Sequence, residues 1–334
     1  MVVSMENKNK LSEIALLRVL ATFSIVVWYT YCSYICWNVA ESPANSFYRS
    51  FFVRIFPDAN MPLFTFIAGY LFCFLLKEKG KYQNFKEFFL NKTHRLLIPF
   101  LVLGIVINLC EYGKSFVDVL YGTPNHLWYC LMLFYVFIAS WLVNKYLSGW
   151  GKTLVMFVSF IVVTCGWSAL SVRVPLGLYL PIFYYGFFYA GFLFREKFET
   201  RILHSKMVVG LILCGYLMSC IFYSRHVIVM LALTQIVLLF ALSKWFCNLE
   251  FYSNNGTLQN TIDMFSKYSF GIYVFHQWII WNLTREPHLL SYVKPILESH
   301  YISAPIVMSI SIFLLCFLIT HVVCKNKVGR YFLL

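Results

Sequence analysis

Charge is scarce in this sequence. Only 12% of its 334 residues are Asp, Glu, Lys or Arg, about half the share of an ordinary soluble protein. Acidic residues are the scarcer kind, 14 against 27 Lys and Arg. No polar, linker-like gap interrupts the apolar runs, which argues against a string of soluble domains and for one integral membrane domain over residues 1–334, with a core at about 12–332. The eleven cysteines fall mostly inside apolar runs and show no metal-ligand or paired spacing, so they read as small core residues, and no metal is expected. The polar start "MVVSMENKNKL" is followed by no small-residue cleavage site, so the first apolar segment is expected to be retained. No internal repeat is visible, which counts against a transporter built from inverted halves.

What is present is apolar and aromatic. Hydrophobic residues make up 60% of the chain, and Phe alone occurs 34 times. A helix needs about 20 such residues to cross a membrane. Ten segments qualify, at about 14–37, 58–77, 95–113, 126–144, 152–170, 178–195, 206–224, 226–244, 264–284 and 303–324. The expected fold is therefore all-α: a polytopic bundle of about ten transmembrane helices. With the N-terminus cytoplasmic, Arg49, Arg54, Lys114, Arg173, Arg225, Arg285 and Lys294 lie outside and the other 20 of 27 Lys and Arg lie inside. That bias fixes orientation, with both termini cytoplasmic. It also accounts for most of the +13 net charge without nucleic acid as a partner. Membrane lipid is the partner the composition implies.

Two stretches carry chemistry. In "NKTHRLLIPF" (91–100) Lys92, His94 and Arg95 gather at the inner end of the third span. Anchoring at the interface is one reading; a cationic mouth for a phosphorylated donor is the other, and Arg suits phosphate by its forked geometry. In "LLRVLATFSIVVWYTYCSYICW" (16–37) a charge opens the run and hydroxyls, thiols and rings crowd its far end. Tyr29 stands eleven residues after Arg18. Eleven helical residues turn about 20° past three full turns and rise about 16 Å, so both side chains share one face at two depths. An interfacial aromatic belt would also explain the far end. His276 falls near mid-membrane in the ninth span, where polar groups are costly. His126 opens the fourth span.

The stretches "LLRVLATFSIVVWYTYCSY", "NMPLFTFIAGYLF", "KTHRLLIPF", "HLWYCLMLF" and "YSFGIYVFHQ" follow one another in the order found in the acyltransferase 3 family, which the chain resembles over nearly its whole length. The resemblance implies an acyltransferase that moves an acyl group, commonly acetyl, from cytoplasmic acetyl-CoA or another acyl-CoA to a hydroxyl at the opposite face. A surface polysaccharide or a lipid-linked sugar is the implied acceptor, and a bacterial-type inner (plasma) membrane the implied location. It assigns Arg18, Lys92 and Arg95 to the donor, and His94 adds a titratable group to the same donor site. His126 and Trp128 match the "HLW" stretch, and Ser269, Gly271, Tyr273 and His276 the ninth-span motif. Trp128 and Tyr273 are the expected acceptor contacts. The family's first span carries its catalytic His where this chain has Tyr29. A phenol of pKa about 10 is a poor base at neutral pH beside an imidazole of about 6.5. Three readings stay open: a perturbed Tyr29, a base supplied by His276 or His126, or a non-catalytic relative acting in glycan export or binding. The sequence leaves the oligomeric state unknown.

Overall fold

The structure is a computed structural model that describes residues 11–36, 60–112, 125–165, 175–222, 224, 227–300 and 303–333. All the described regular structure is helical. The outer cations Arg49, Arg54, Lys114, Arg173 and Arg225 lie outside the described residues.

The helices are α1 (Ser12–Cys36), α2 (Asn60–Cys73), α3 (Phe85–Lys92), α4 (Ile98–Tyr112), α5 (Trp128–Tyr146), α6 (Gly149–Cys165), α7 (Leu180–Leu193), α8 (Glu199–His204), α9 (Lys206–Ile221), α10 (Ile228–Cys247), α11 (Glu250–Ser253), α12 (Gly256–Arg285), α13 (Pro287–Ser299), α14 (Ser303–Val323) and α15 (Lys327–Leu333). Each of the ten expected spans coincides with helix in its described part. Six stretches are long and apolar enough to cross a membrane: Ser12–Tyr31, Asn60–Glu78, Phe85–Val106, Trp128–Tyr146, Ile228–Cys247 and Ser303–Val323. A seventh is formed if Leu180–His204 and Lys206–Ile221, bent by 101° at Ser205, are taken together. Over its described residues α6 is a shorter apolar helix, and α12 carries polar residues along its length, from Gln259 and Asp263 to His276, Gln277 and Asn282.

Three single π-turns widen the helices: Phe74–Glu78 after α2, Thr93–Leu97 between α3 and α4, and Phe194–Phe198 after α7. The second has a readable cause. Pro99 has no N–H for the Arg95 carbonyl, and its ring would crowd that oxygen. The ladder shifts, and Ile98 N–H bonds the Thr93 carbonyl instead. Such turns occur often at functional sites.

The packing divides the chain into two units, Met1–Asn45 with Ile236–Val322, and Ser46–Gln235 with Val323–Leu334. In the first unit α1 packs along α12, and Val26, Ile272, Ile279, Ile280, Ile312, Phe313 and Cys316 form the core. Asn255 caps α12 by accepting from Leu258 N–H at 2.9 Å. Gly271 lies against α14: a Cβ there would sit 2.1 Å from Thr320 Cγ2.

In the second unit α2 and α7 meet backbone to backbone. A Cβ on Gly69 would lie 1.8 Å from the Phe188 carbonyl oxygen, and one on Gly191 would lie 2.0 Å from that of Phe66. Small residues allow this approach where lipid supplies no hydrophobic force between helices. Ser159 of α6 adds a polar tie, since its Oγ accepts from Gly186 N–H and donates to the Ile182 carbonyl. The hydroxyl thereby inserts into α7's own hydrogen-bond ladder.

Candidate active site

The first unit brings together five of the residues expected to matter, Arg18, Tyr29, Ser269, Tyr273 and His276. Arg18 Nη2 donates to Ser269 Oγ at 3.0 Å, and Ser269 Oγ donates to the Ser266 carbonyl at 2.8 Å. Further along the same helix pair the Tyr29 ring meets His276 edge-on, centroids 4.9 Å apart. Tyr273 lies against His276 at 5.8 Å. The eleven-residue spacing on α1 is thus matched by a seven-residue spacing on α12, so the two helices run parallel. Both members of the α1 pair face α12, as their shared helix face requires.

His276 is fully buried, with 0% of its surface exposed. Its Nδ1 lies 2.6 Å from the Tyr273 carbonyl. A carbonyl only accepts, so Nδ1 carries the hydrogen, and in a neutral ring Nε2 then carries the lone pair. That is the tautomer a general base needs, with its orientation set by the backbone. Tyr29 is half-buried, and its phenol edge shares this pocket of rings.

The basic stretch falls in the second unit and divides by environment. Lys92 is buried, 8% exposed. Its Nζ sits 3.6 Å from the Phe137 ring centroid, 4.9 Å from Tyr82 and 5.8 Å from Phe88. Its charge is turned inward against aromatic faces. There it pins the connector before α3, whose Tyr82 adopts a left-handed φ of 67° and accepts from Trp141 Nε1 at 2.9 Å. Burial pushes the Tyr82 phenol up, and the nearby Arg95 guanidinium pulls it the other way. His94 and Arg95 are exposed on the π-turn, and His94 Nδ1 meets the Tyr331 hydroxyl of α15. Arg95 and His94 are therefore the accessible groups of this stretch, while Lys92 is packed inward.

His126 is buried at 2% in the turn Asn125–Leu127 that opens α5. Trp128 follows, half-buried, against Tyr129 and Tyr184 at 6.0 and 5.4 Å. Among the described residues no cluster of His, Cys, Asp or Glu could hold a metal.

One constellation escaped the sequence reading. Arg195 makes two bonds to Glu78, at 2.7 and 2.8 Å, and one each to Glu199 and the Tyr70 hydroxyl at 2.8 Å. Tyr70 OH also donates to Glu199 Oε2 at 2.9 Å. The sequence places Arg195 only among the inner-side cations. The signal available was Arg195 and Glu199 spaced one turn apart beside a span end.

These features define a helical membrane protein with a polar, histidine-bearing seam inside an apolar unit. The model of an acyltransferase domain matches residues 11–324, and the chain belongs to the acyltransferase 3 family. No curated protein and no solved structure matches it.

Proposed function

We propose that this membrane acyltransferase moves an acyl group, most simply acetyl, from cytoplasmic acyl-CoA to a hydroxyl on an extracytoplasmic glycan or its lipid-linked precursor, from a bacterial-type inner membrane. The observation that carries this reading is the α1–α12 seam, with a cation at one depth and an oriented imidazole at another. In the proposed step, His276 Nε2 takes the proton as the acceptor oxygen attacks the thioester carbonyl. The C–S bond breaks, the acyl–oxygen bond remains, and the coenzyme A thiolate leaves and is protonated. Donor phosphates are assigned to Arg95 and His94 and, on the family resemblance, to Arg18. Acceptor contacts are assigned to Tyr273, His126 and Trp128. A cation near the developing oxyanion stabilises the transition state.

The reading includes ten spans. Its support is directional. α1 and α12 run parallel, since Arg18 meets Ser269 and Tyr29 meets His276. Two parallel spans need an odd number of crossings between them. Counting α2, α3 with α4, α5, α6, α7, α9 and α10 as crossings meets that requirement, and α14 brings the reading to ten spans with both termini cytoplasmic.

The second reading is a non-catalytic relative in glycan export, and Tyr29 in the family's histidine position favours it. Labelled acyl-CoA supplied to the inner face of vesicles separates the two. The enzyme labels a glycan on the other face only when protein and donor are both present. An exporter's deletion removes surface glycan and leaves its acylation unchanged, and that result would overturn the proposal.

A further inference from the structure

A cavity of about 390 Å³ lies in the second unit, where α6 begins and α7 ends, and none of the expected site residues lines it. Its wall includes Trp150, Lys152, Thr153, Leu193, Glu196 and Lys197. The charges do not cancel. Glu196 is already paired with Lys77 at 3.3 Å, and Arg195 beside it is taken up by Glu78 and Glu199. Lys152 donates to the neutral Asn144 Oδ1 at 3.1 Å. Lys77, Lys152, Arg195 and Lys197 stand against Glu78, Glu196 and Glu199, so the cavity and its neighbours keep a net positive charge. Its surroundings are lipidic. The outer face of α6 exposes Leu154, Phe157 and Ile161 at 64, 55 and 58%, and Trp150 is 88% exposed at the rim. In a membrane protein that combination places the opening at the headgroup layer, with indole at the interface and an apolar strip running beneath it.

We propose that this cavity binds the headgroup of an anionic phospholipid. Lys152 and Lys197 meet the phosphate, Trp150 lies beside the glycerol, and the acyl chains run down the strip of Leu154, Phe157 and Ile161. Basic pockets between spans suit such headgroups, because a fixed pair of lysines adds to the apolar contact that any lipid makes.

The test uses the full chain reconstituted in phosphatidylcholine vesicles doped with brominated lipid, which quenches indole on contact. The chain has nine tryptophans, so the difference between wild type and Trp150→Phe isolates the signal of Trp150. Brominated phosphatidylglycerol should quench that signal at a mole fraction at least about fivefold lower than brominated phosphatidylcholine, roughly the effect of one lysine at a membrane surface. The double variant Lys152→Gln, Lys197→Gln should lose the preference, and the double Arg variant should keep it. Lys145→Gln, outside the cavity lining, should leave it unchanged. In wild type the preference should also fall as salt is raised, which tests the idea even if the Gln variant does not fold. Equal quenching by both lipids, or a preference that survives in the Gln variant, would overturn the proposal. So would an equal loss in Lys145→Gln, which would indicate diffuse surface charge. Relief of quenching by inorganic phosphate alone would make this a small-anion site, and relief by coenzyme A would assign it to the donor; either defeats the lipid.

Discussion

Replacing His276 by Gln removes the proposed base and little else. Gln can still donate to the Tyr273 carbonyl that now holds Nδ1 at 2.6 Å, and its volume is close to that of His. A positioned general base contributes about 10²–10⁴-fold, or about 2.7–5.4 kcal/mol of barrier. Transfer of label from acyl-CoA to acceptor should fall by that factor, while thermal unfolding of the purified protein shifts little. Tyr29→Phe keeps the ring that meets His276 at 4.9 Å, a contact worth about 0.5–1.5 kcal/mol, and removes only the hydroxyl. It should cost less than about tenfold if the phenol orients rather than reacts. Tyr29→His should raise transfer, because it sets a second imidazole, in the family's histidine position, beside His276. The reasoning fails if His276→Gln retains wild-type transfer while Tyr29→Phe abolishes it, because the base is then the phenol. It fails more deeply if wild type and all three variants are inactive with a verified donor and acceptor.

Arg18→Ala and Arg95→Ala should each weaken coenzyme A binding roughly tenfold or more, the worth of a charge-assisted phosphate bond; unchanged affinity in both at low salt would show that these charges serve topology alone. Gly69→Ala should destabilise the second unit by roughly 1–3 kcal/mol or more, because its methyl would meet the Phe188 carbonyl at 1.8 Å. A matched melting temperature in detergent would mean that the α2–α7 crossing is loose enough to admit a methyl group.

Hydropathy located the helices well where lipid sets the composition. The expected 58–77, 226–244 and 303–324 lie within three residues of Asn60–Glu78, Ile228–Cys247 and Ser303–Val323 at either end. It failed where helix continues without being apolar. α12 begins at Gly256, eight residues before the expected 264, because the Asn255 cap and polar first turns are invisible to an apolar window. α3 starts at Phe85 for the same reason, behind the Asn84 cap. Within the site, the spacing of Arg18 and Tyr29 foretold a shared face, and α12 lies along it. Their partners were legible as motif residues, though not as contacts. The inward turn of Lys92 was not legible, since its aromatic box draws on Tyr82, Phe88 and Phe137 from three separate segments. The Arg195 network joins a residue 117 positions away, and no local pattern records that.

The bond between Arg18 and Ser269 spans 251 residues. At synthesis rates of about 5–20 residues per second, Arg18 is in the membrane for about 13–50 s before the chain carrying its partner exists. For that interval α1 lacks its α12 partner and carries a guanidinium about a turn and a half from its start. The seam therefore closes only after most of the chain has been made, and its assembly depends on slow, long-range docking. Interruption of synthesis before α12 would leave an inserted protein that has Arg18 and the basic turn but lacks both His276 and the Tyr331 contact of His94.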